Sequence, residues 1–342
     1  MTNNNSGRRV LVTGAAGFIG FHFARRLLST GAVVLGVDNL NDYYAPTLKK
    51  ARLDQLKGVD RFSFELTDIA DDSHVRRLFE RFAPTHVVNL AAQAGVRYSL
   101  LNPRAYVTSN IDGFLSILEA CRHVPVEHLV YASSSSVYGT NNKVPFSEHD
   151  RADHPASLYA ATKRANELMA HTYAHLFHVP STGLRFFTVY GPWGRPDMAY
   201  YSFTKAILEG RPIEVFNHGQ MSRDFTYIDD IVEAMVRLLD HRPQGADGAC
   251  DAGPASGAGK APHAVYNIGN HTPVPLEHFI DVIARAAGRR VEKIYRPMQP
   301  GEVPATFAEV SDLAQAVGFA PNTPIEEGIG RFVAWYREYH RV

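Results

Sequence analysis

Tyr159 and Lys163, spaced as Tyr159-Ala-Ala-Thr-Lys163, are the pair in this sequence best suited to proton chemistry. Four positions apart on a helix, two side chains share a face. A phenol has an ordinary pKa of about 10 and is a poor base near neutral pH until a neighbouring cation favours its ionised form. A run of hydroxyls, Ser133-Ser134-Ser135-Ser136, lies upstream at the end of an apolar, strand-like stretch. Serines at the carboxyl end of a central strand point into a ligand crevice; without a partner the same run is only a polar turn. A tyrosine and a lysine also fall at this spacing by chance, so the weight rests on the combination.

A second constellation would hold a dinucleotide. Gly14-Ala15-Ala16-Gly17-Phe18-Ile19-Gly20 follows an apolar strand and opens a helix, the context such a motif requires. The glycines allow a tight turn and a close approach to a pyrophosphate, whose charge the helix N-terminus favours. Asp38 ends the next strand, where a carboxylate accepts the adenosine ribose hydroxyls. Asn39 and Leu40 follow, with no Arg or Lys for a 2′-phosphate, which points to NAD rather than NADP. Asp68, with Ile69 beside it, either accepts from the adenine amino group or caps the helix predicted to start at Ser73. Leu90-Ala91-Ala92-Gln93 either lets a dinucleotide lie close or packs a strand tightly against a helix.

The elements that must position these groups follow an alternating rhythm. Strand candidates at 9–13, 33–37, 61–65, 86–90, 128–133 and 182–186 alternate with helical patterns reaching Thr30 and at 73–82, 103–123 and 157–177. This predicts an α/β fold, a doubly wound (Rossmann) parallel sheet with ligands at its carboxyl edge. After about Pro192 the rhythm weakens into short strands (213–216, 265–268) and helices at 229–240, 276–287 and 325–339. The expectation is an NAD-binding domain over 1–190 and a smaller mixed α/β lobe over 191–342, with some segments returning to the first domain. Residues 243–262, rich in Gly, Ala and Pro, read as a mobile surface loop.

Composition narrows the partners. The 342 residues hold 35 Lys plus Arg and 35 Asp plus Glu, so no net charge advertises a nucleic-acid partner. Cys121 and Cys250 stand far apart without a CxxC or a His-rich cluster, which argues against a metal site or disulfides and suits a reducing cytoplasm. The polar start and the lack of any long apolar run predict no signal peptide and no membrane partner.

Thr13 to Gly20, Ser133-Ser-Ser-Ser-Val-Tyr-Gly139 and Tyr159-Ala-Ala-Thr-Lys163 together resemble the extended short-chain dehydrogenase/reductase family, and within it the sugar-nucleotide 4-epimerases. The likeness runs over residues 8–339. It implies that Tyr159 takes the proton of the sugar 4-hydroxyl while NAD, kept as a prosthetic group, accepts the 4-hydride and returns it to the other face of the keto sugar. The assisting hydroxyl falls on Ser134 or Ser136. Dehydratases of the family carry an Asp-Glu pair before the Val-Tyr-Gly and decarboxylases a Glu; this chain has Ser135 and Ser136 there, as epimerisation allows.

Asp38-Asn-Leu-Asn-Asp-Tyr-Tyr44, Ala94-Gly-Val-Arg-Tyr-Ser99 and Arg185-Phe-Phe-Thr-Val-Tyr-Gly-Pro-Trp-Gly-Arg-Pro-Asp197 are similar to the uronate branch, the UDP-glucuronate 4-epimerases. A carboxylate taken from water needs a cation or several donors. Arg195 is the first candidate, joined by Thr188, the serine run and Arg97; outside its motif Arg195 would read as a surface arginine. By the same resemblance Arg223 would hold the pyrophosphate, or else pair with Asp224, and Gln299 and Glu302 lie near the uridine ribose, although the family more often has Asp at the latter position. Phe203, Lys205, Phe216 and Gln220 would line the same pocket, and relatives pair as homodimers through the helices at 103–123 and 157–177. An epimerase of neutral UDP-sugars and a non-catalytic nucleotide sensor are the alternatives.

Overall fold

A computed structural model describes residues 7–245, 261–299 and 303–342. Glu302 and most of the 243–262 stretch lie outside them. Strands β1 (Arg9–Thr13), β2 (Val33–Asp38), β3 (Phe62–Leu66), β4 (His86–Asn89), β5 (His128–Ser134) and β6 (Ser181–Phe186) alternate with helices. Then come β7 (Thr188–Tyr190), β8 (Ile213–Val215), β9 (Ser222–Tyr227), β10 (His263–Ile268), β11 (Pro273–Pro275), β12 (Lys293–Tyr295) and β13 (Ala305–Thr306).

Seven parallel strands form the main sheet in the order β10-β6-β5-β4-β1-β2-β3. Its interior strands are short apolar runs, Val10 to Val12 and Val87 to Val88 among them, buried on both faces as a helix-covered parallel sheet requires. The order reverses between β1 and β4, so the loops after these strands open a crevice at the carboxyl edge. β10 lies beside β6 and extends this sheet with residues far past 190, while β9 organises a smaller sheet with β7, β11 and β13.

Local chemistry sets the helix ends. Asp71 accepts from the His74 amide and caps Asp72–Phe82, and Ser157 accepts from the Ala160 amide and caps Leu158–Phe177. The 103–123 stretch is helical throughout but contains a π segment, Val107–Asp112, between Pro103–Tyr106 and Gly113–His123. Helices near the crevice that were not anticipated include Pro46–Asp54, Tyr98–Leu101 and Ala199–Leu208. Among the described residues, no helix is long and apolar enough to cross a membrane.

Candidate active site

A cleft of about 890 Å³ runs along the carboxyl edge of the main sheet into the smaller lobe. At one end, Gly14 turns the chain with φ +69°, and a Cβ there would meet the Leu90 and Ala91 backbone at 2.8 Å. Gly14, Gly17, Phe18, Ile19 and Gly20 line the cleft, as do Asp38, Asn39, Asp68, Ile69, Leu90, Ala91 and Ala92. Ala16 is the exception: fully buried behind the loop, it gives its amide to Asp38 (3.1 Å) and its carbonyl to Arg52 (2.9 Å), so it braces the turn rather than lining the cleft.

The Asp38 carboxylate also accepts from the Leu40 amide at 2.8 Å. Burial raises its pKa, against the pull of the Leu40 amide and of Lys49. Asp68 accepts from Asn39 Nδ2 and from the Ala70 amide, both at 2.9 Å. It does not cap the following helix, because Asp71 holds that position. The helix missed at Pro46–Asp54 brings a cation the sequence reading did not see: Lys49 lines the cleft, its ammonium donating to Asn41 O and Oδ1 at 2.8 Å each.

At the cleft centre, β5 ends at Ser134 and the Leu158–Phe177 helix carries Tyr159 in its first turn. Ser134 and Tyr159 both line the cleft, and the Ser134 hydroxyl favours the ionised form of the phenol. Ser134 Oγ also donates to Ser136 Oγ (3.1 Å) and accepts from the Ser136 amide (3.2 Å). Of the two candidate serines, Ser134 is the one that acts on the tyrosine's ionisation. Burial raises the Tyr159 pKa, while the Ser134 hydrogen bond and the charge of Arg195 oppose it. Lys163 donates to Ala132 O at 2.8 Å, and burial pulls its ammonium down to about 8.

Past the tyrosine, Arg195 grips Asp197 through Nε (3.0 Å) and Nη2 (2.5 Å), and Tyr43 donates its hydroxyl to the same carboxylate (3.2 Å). Burial raises the Asp197 carboxyl, but Arg195 more than offsets it and holds the pKa low. Thr188, Ser135, Ser136 and Arg97 share the cleft wall, the Arg97 guanidinium lying over the Phe216 ring at 5.1 Å from its centroid. Phe203, Phe216 and Arg223 line the far end, where Arg223 Nη1 donates to Ser222 O (2.9 Å) and Pro304 O (3.1 Å). The proposed pairing of Arg223 with Asp224 is replaced: Asp224 is buried and accepts from the amides of Asn270, His271 and Ala308.

Three expected lining residues lie elsewhere. Lys205 is exposed outside the cleft, two positions and so roughly half a helical turn from Phe203. Gln220 is exposed past the Phe216–Gly219 turn, and Gln299 is half-buried away from the described cleft wall. Sequence reasoning gave no role to Tyr43 or Asp197, although both fell inside the motifs it quoted. It also missed Asn110, buried in the π segment, which fixes Gln93 through amide and carbonyl at 2.8 and 3.0 Å.

Comparison with known proteins adds four likenesses. The model of the NAD dependent epimerase/dehydratase family matches residues 10–269. The chain is 52% identical to Protein CapI of Staphylococcus aureus, over 97% of this chain and 99% of that one. It is 48% identical to a probable UDP-glucuronate 4-epimerase of Rhizobium meliloti, over 97% and 98%. Its fold matches the crystal structure of the UDP-glucuronic acid 4-epimerase of Bacillus cereus, solved with UDP-glucuronic acid and NAD, at a TM-score of 0.84 and 32% identity over 97% and 99% of the two chains.

Proposed function

The chain belongs to the NAD dependent epimerase/dehydratase family, and on that premise we propose that it is a UDP-glucuronate 4-epimerase, interconverting UDP-glucuronate and UDP-galacturonate. The carrying observation is that a guanidinium, Arg195, and a phenol, Tyr159, line one cleft. A uronate presents a carboxylate to the first and a 4-hydroxyl to the second. Ser135 and Ser136 stand where elimination or decarboxylation would want a carboxyl group, and the nearby Asp197 is tied to Arg195.

The glycine turn at Gly14, the buried Asp38 and the small Ala91 and Ala92 suit a dinucleotide with an unmodified adenosine ribose. When bound, NAD supplies the reversible oxidation of the sugar at C4. Tyr159, its ionised form favoured by Ser134, removes the 4-hydroxyl proton and later returns it. Arg195, with Thr188, Ser135 and Ser136 as donors, holds the carboxylate so that its bond to C5 stays poorly aligned for CO2 loss from the β-keto acid. Arg223 takes the pyrophosphate with a planar guanidinium suited to paired oxygens.

Two further points belong to this reading. Leu115, Leu168 and Leu176 are exposed apolar side chains on Gly113–His123 and Leu158–Phe177, helices that pack against each other, which supports a homodimer through that face. A Leu168→Lys, Leu176→Lys double variant is expected to sediment as a monomer. Cys121 is a buried free thiol, in keeping with a cytoplasmic enzyme.

The test is to incubate purified protein, without added cofactor, with UDP-glucuronate, UDP-glucose and UDP-N-acetylglucosamine in separate reactions and to resolve the products by anion exchange with mass detection. A new peak of unchanged mass from UDP-glucuronate, absent for Tyr159→Phe, is expected. A product lighter by CO2, or turnover confined to the neutral sugars, overturns the assignment, and bound NAD without turnover would mark a nucleotide sensor.

A further inference from the structure

Two consecutive residues at the end of β5 are each tied to a different side chain of the Leu158–Phe177 helix, and the next, Ser134, shares the cleft with its tyrosine. Ala132 O accepts from Lys163 Nζ (2.8 Å), Ser133 Oγ donates to Glu167 Oε1 (2.6 Å), and the Ser134 hydroxyl favours the ionised form of Tyr159. Tyr159, Lys163 and Glu167 follow one another at four-residue steps and so lie along one face of the helix. Glu167 is itself clamped. Arg185 Nε donates to Oε1 (2.8 Å), Arg185 Nη2 to Oε2 (2.9 Å) and Arg164 Nη1 to Oε2 (2.7 Å). Sheet register pairs Ser133 on β5 with Arg185 on β6, so the carboxylate sits over a matched pair of residues on adjacent strands.

Glu167 and Arg185 are 2% and 3% exposed. Burying such a pair costs desolvation that apolar side chains would avoid, so stability alone is a weak reason to have one here. Its geometry offers a better one. We propose that Glu167 is a positioning residue for the reaction: through Ser133 it fixes the end of β5 and thereby sets how the Ser134 hydroxyl meets Tyr159. The proposal rests on Ser134 and Tyr159 being the reacting pair, and not on which sugar is turned over.

Glu167 variants strand the Arg185 charge in the interior and risk unfolding, so the informative change is Ser133→Ala, which leaves Glu167 held by both arginines. With UDP-glucuronate the expected result is a kcat lower by about tenfold, short of the ~100-fold that a full 1 Å misplacement can cost, with KM nearly unchanged. The acid limb of the pH–kcat profile should move to higher pH as Ser134 shifts and its lowering pull on Tyr159 weakens. In a Ser134→Ala background, adding Ser133→Ala should lower kcat no further. Equal effects in both backgrounds, or a lower Tm with kcat and the pH profile unmoved, would overturn the positioning role alone. Full turnover by Tyr159→Phe or by Ser134→Ala would overturn the reading of the reacting pair as well.

Discussion

Asp197 holds Arg195 at two points, 3.0 and 2.5 Å, inside the cleft that also contains Tyr159. The cation is thereby placed before a ligand arrives, and a uronate carboxylate joins a guanidinium that is already oriented. Removing that charge should weaken recognition of the uronate and also release its pull on the Tyr159 phenol. Arg195→Ala is expected to lose about 1.5–3 kcal/mol of transition-state binding, or roughly 10- to 150-fold in kcat/KM for UDP-glucuronate. Steady-state kinetics of the purified variant, alongside its Tm, provide the check, and an unchanged kcat/KM would move the carboxylate elsewhere.

Asp38 makes the corresponding case for the cofactor. Its carboxylate is braced by the Ala16 and Leu40 amides and turned to the cleft, where it would accept the ribose hydroxyls. Hydrogen bonds to a charged group are worth about 1.5–3 kcal/mol each. Asp38→Ala should therefore leave the purified protein with much less NAD. Acid release of nucleotide, quantified per mole of protein after gel filtration, measures this; an undiminished content would contradict the assignment.

Acid should weaken the fold early. Burial pulls the rings of His22, His128 and His263 from an ordinary pKa of 6.5 down to about 3, 3 and 4. As pH falls through about 6.5 the unfolded chain takes up protons that these buried rings refuse, so their contribution is complete above that pH and drains away toward the folded values. Glu167 acts lower on the scale: burial alone would raise it, but the Arg185 hydrogen bonds hold it at about 2, so its share is lost as pH falls from about 4.5 toward that value. Tm should be level near pH 7 to 8 and fall steadily below about pH 6.5. A Tm unchanged between pH 7 and pH 5 would contradict this.

The sheet and the glycine turn were legible because a buried parallel strand and a phosphate-binding loop each impose a local residue pattern, visible in Val10 to Val12 and Gly14 to Gly20. The Leu276–Ala287 helix was readable for the same reason, one face carrying Phe279, Ile280, Val282 and Ile283. The Pro46–Asp54 helix was not, because its buried Arg52 finds its partners, the carbonyls of Trp193 and Gly194, far along the chain. Ser134 and Ser136 could not be separated in sequence, since the strand-to-turn geometry after Ser134 decides which hydroxyl meets Tyr159. Lys205 and Gln220 fell in the right segments, but which face of each segment lines the cleft depends on packing against the second lobe. Glu167 carries no signal of its own in the sequence, because its partner Arg185 reaches it only through the placing of β6.

Turnover of UDP-glucuronate carrying deuterium at C4, by purified protein without added cofactor, tests the central claim most directly. If the chain oxidises and reduces the same carbon in one closed site, UDP-galacturonate should form with its deuterium still at C4 and its carboxylate intact, as read by mass spectrometry and proton NMR. Protium at C4, or a product that has lost CO2, would contradict the account.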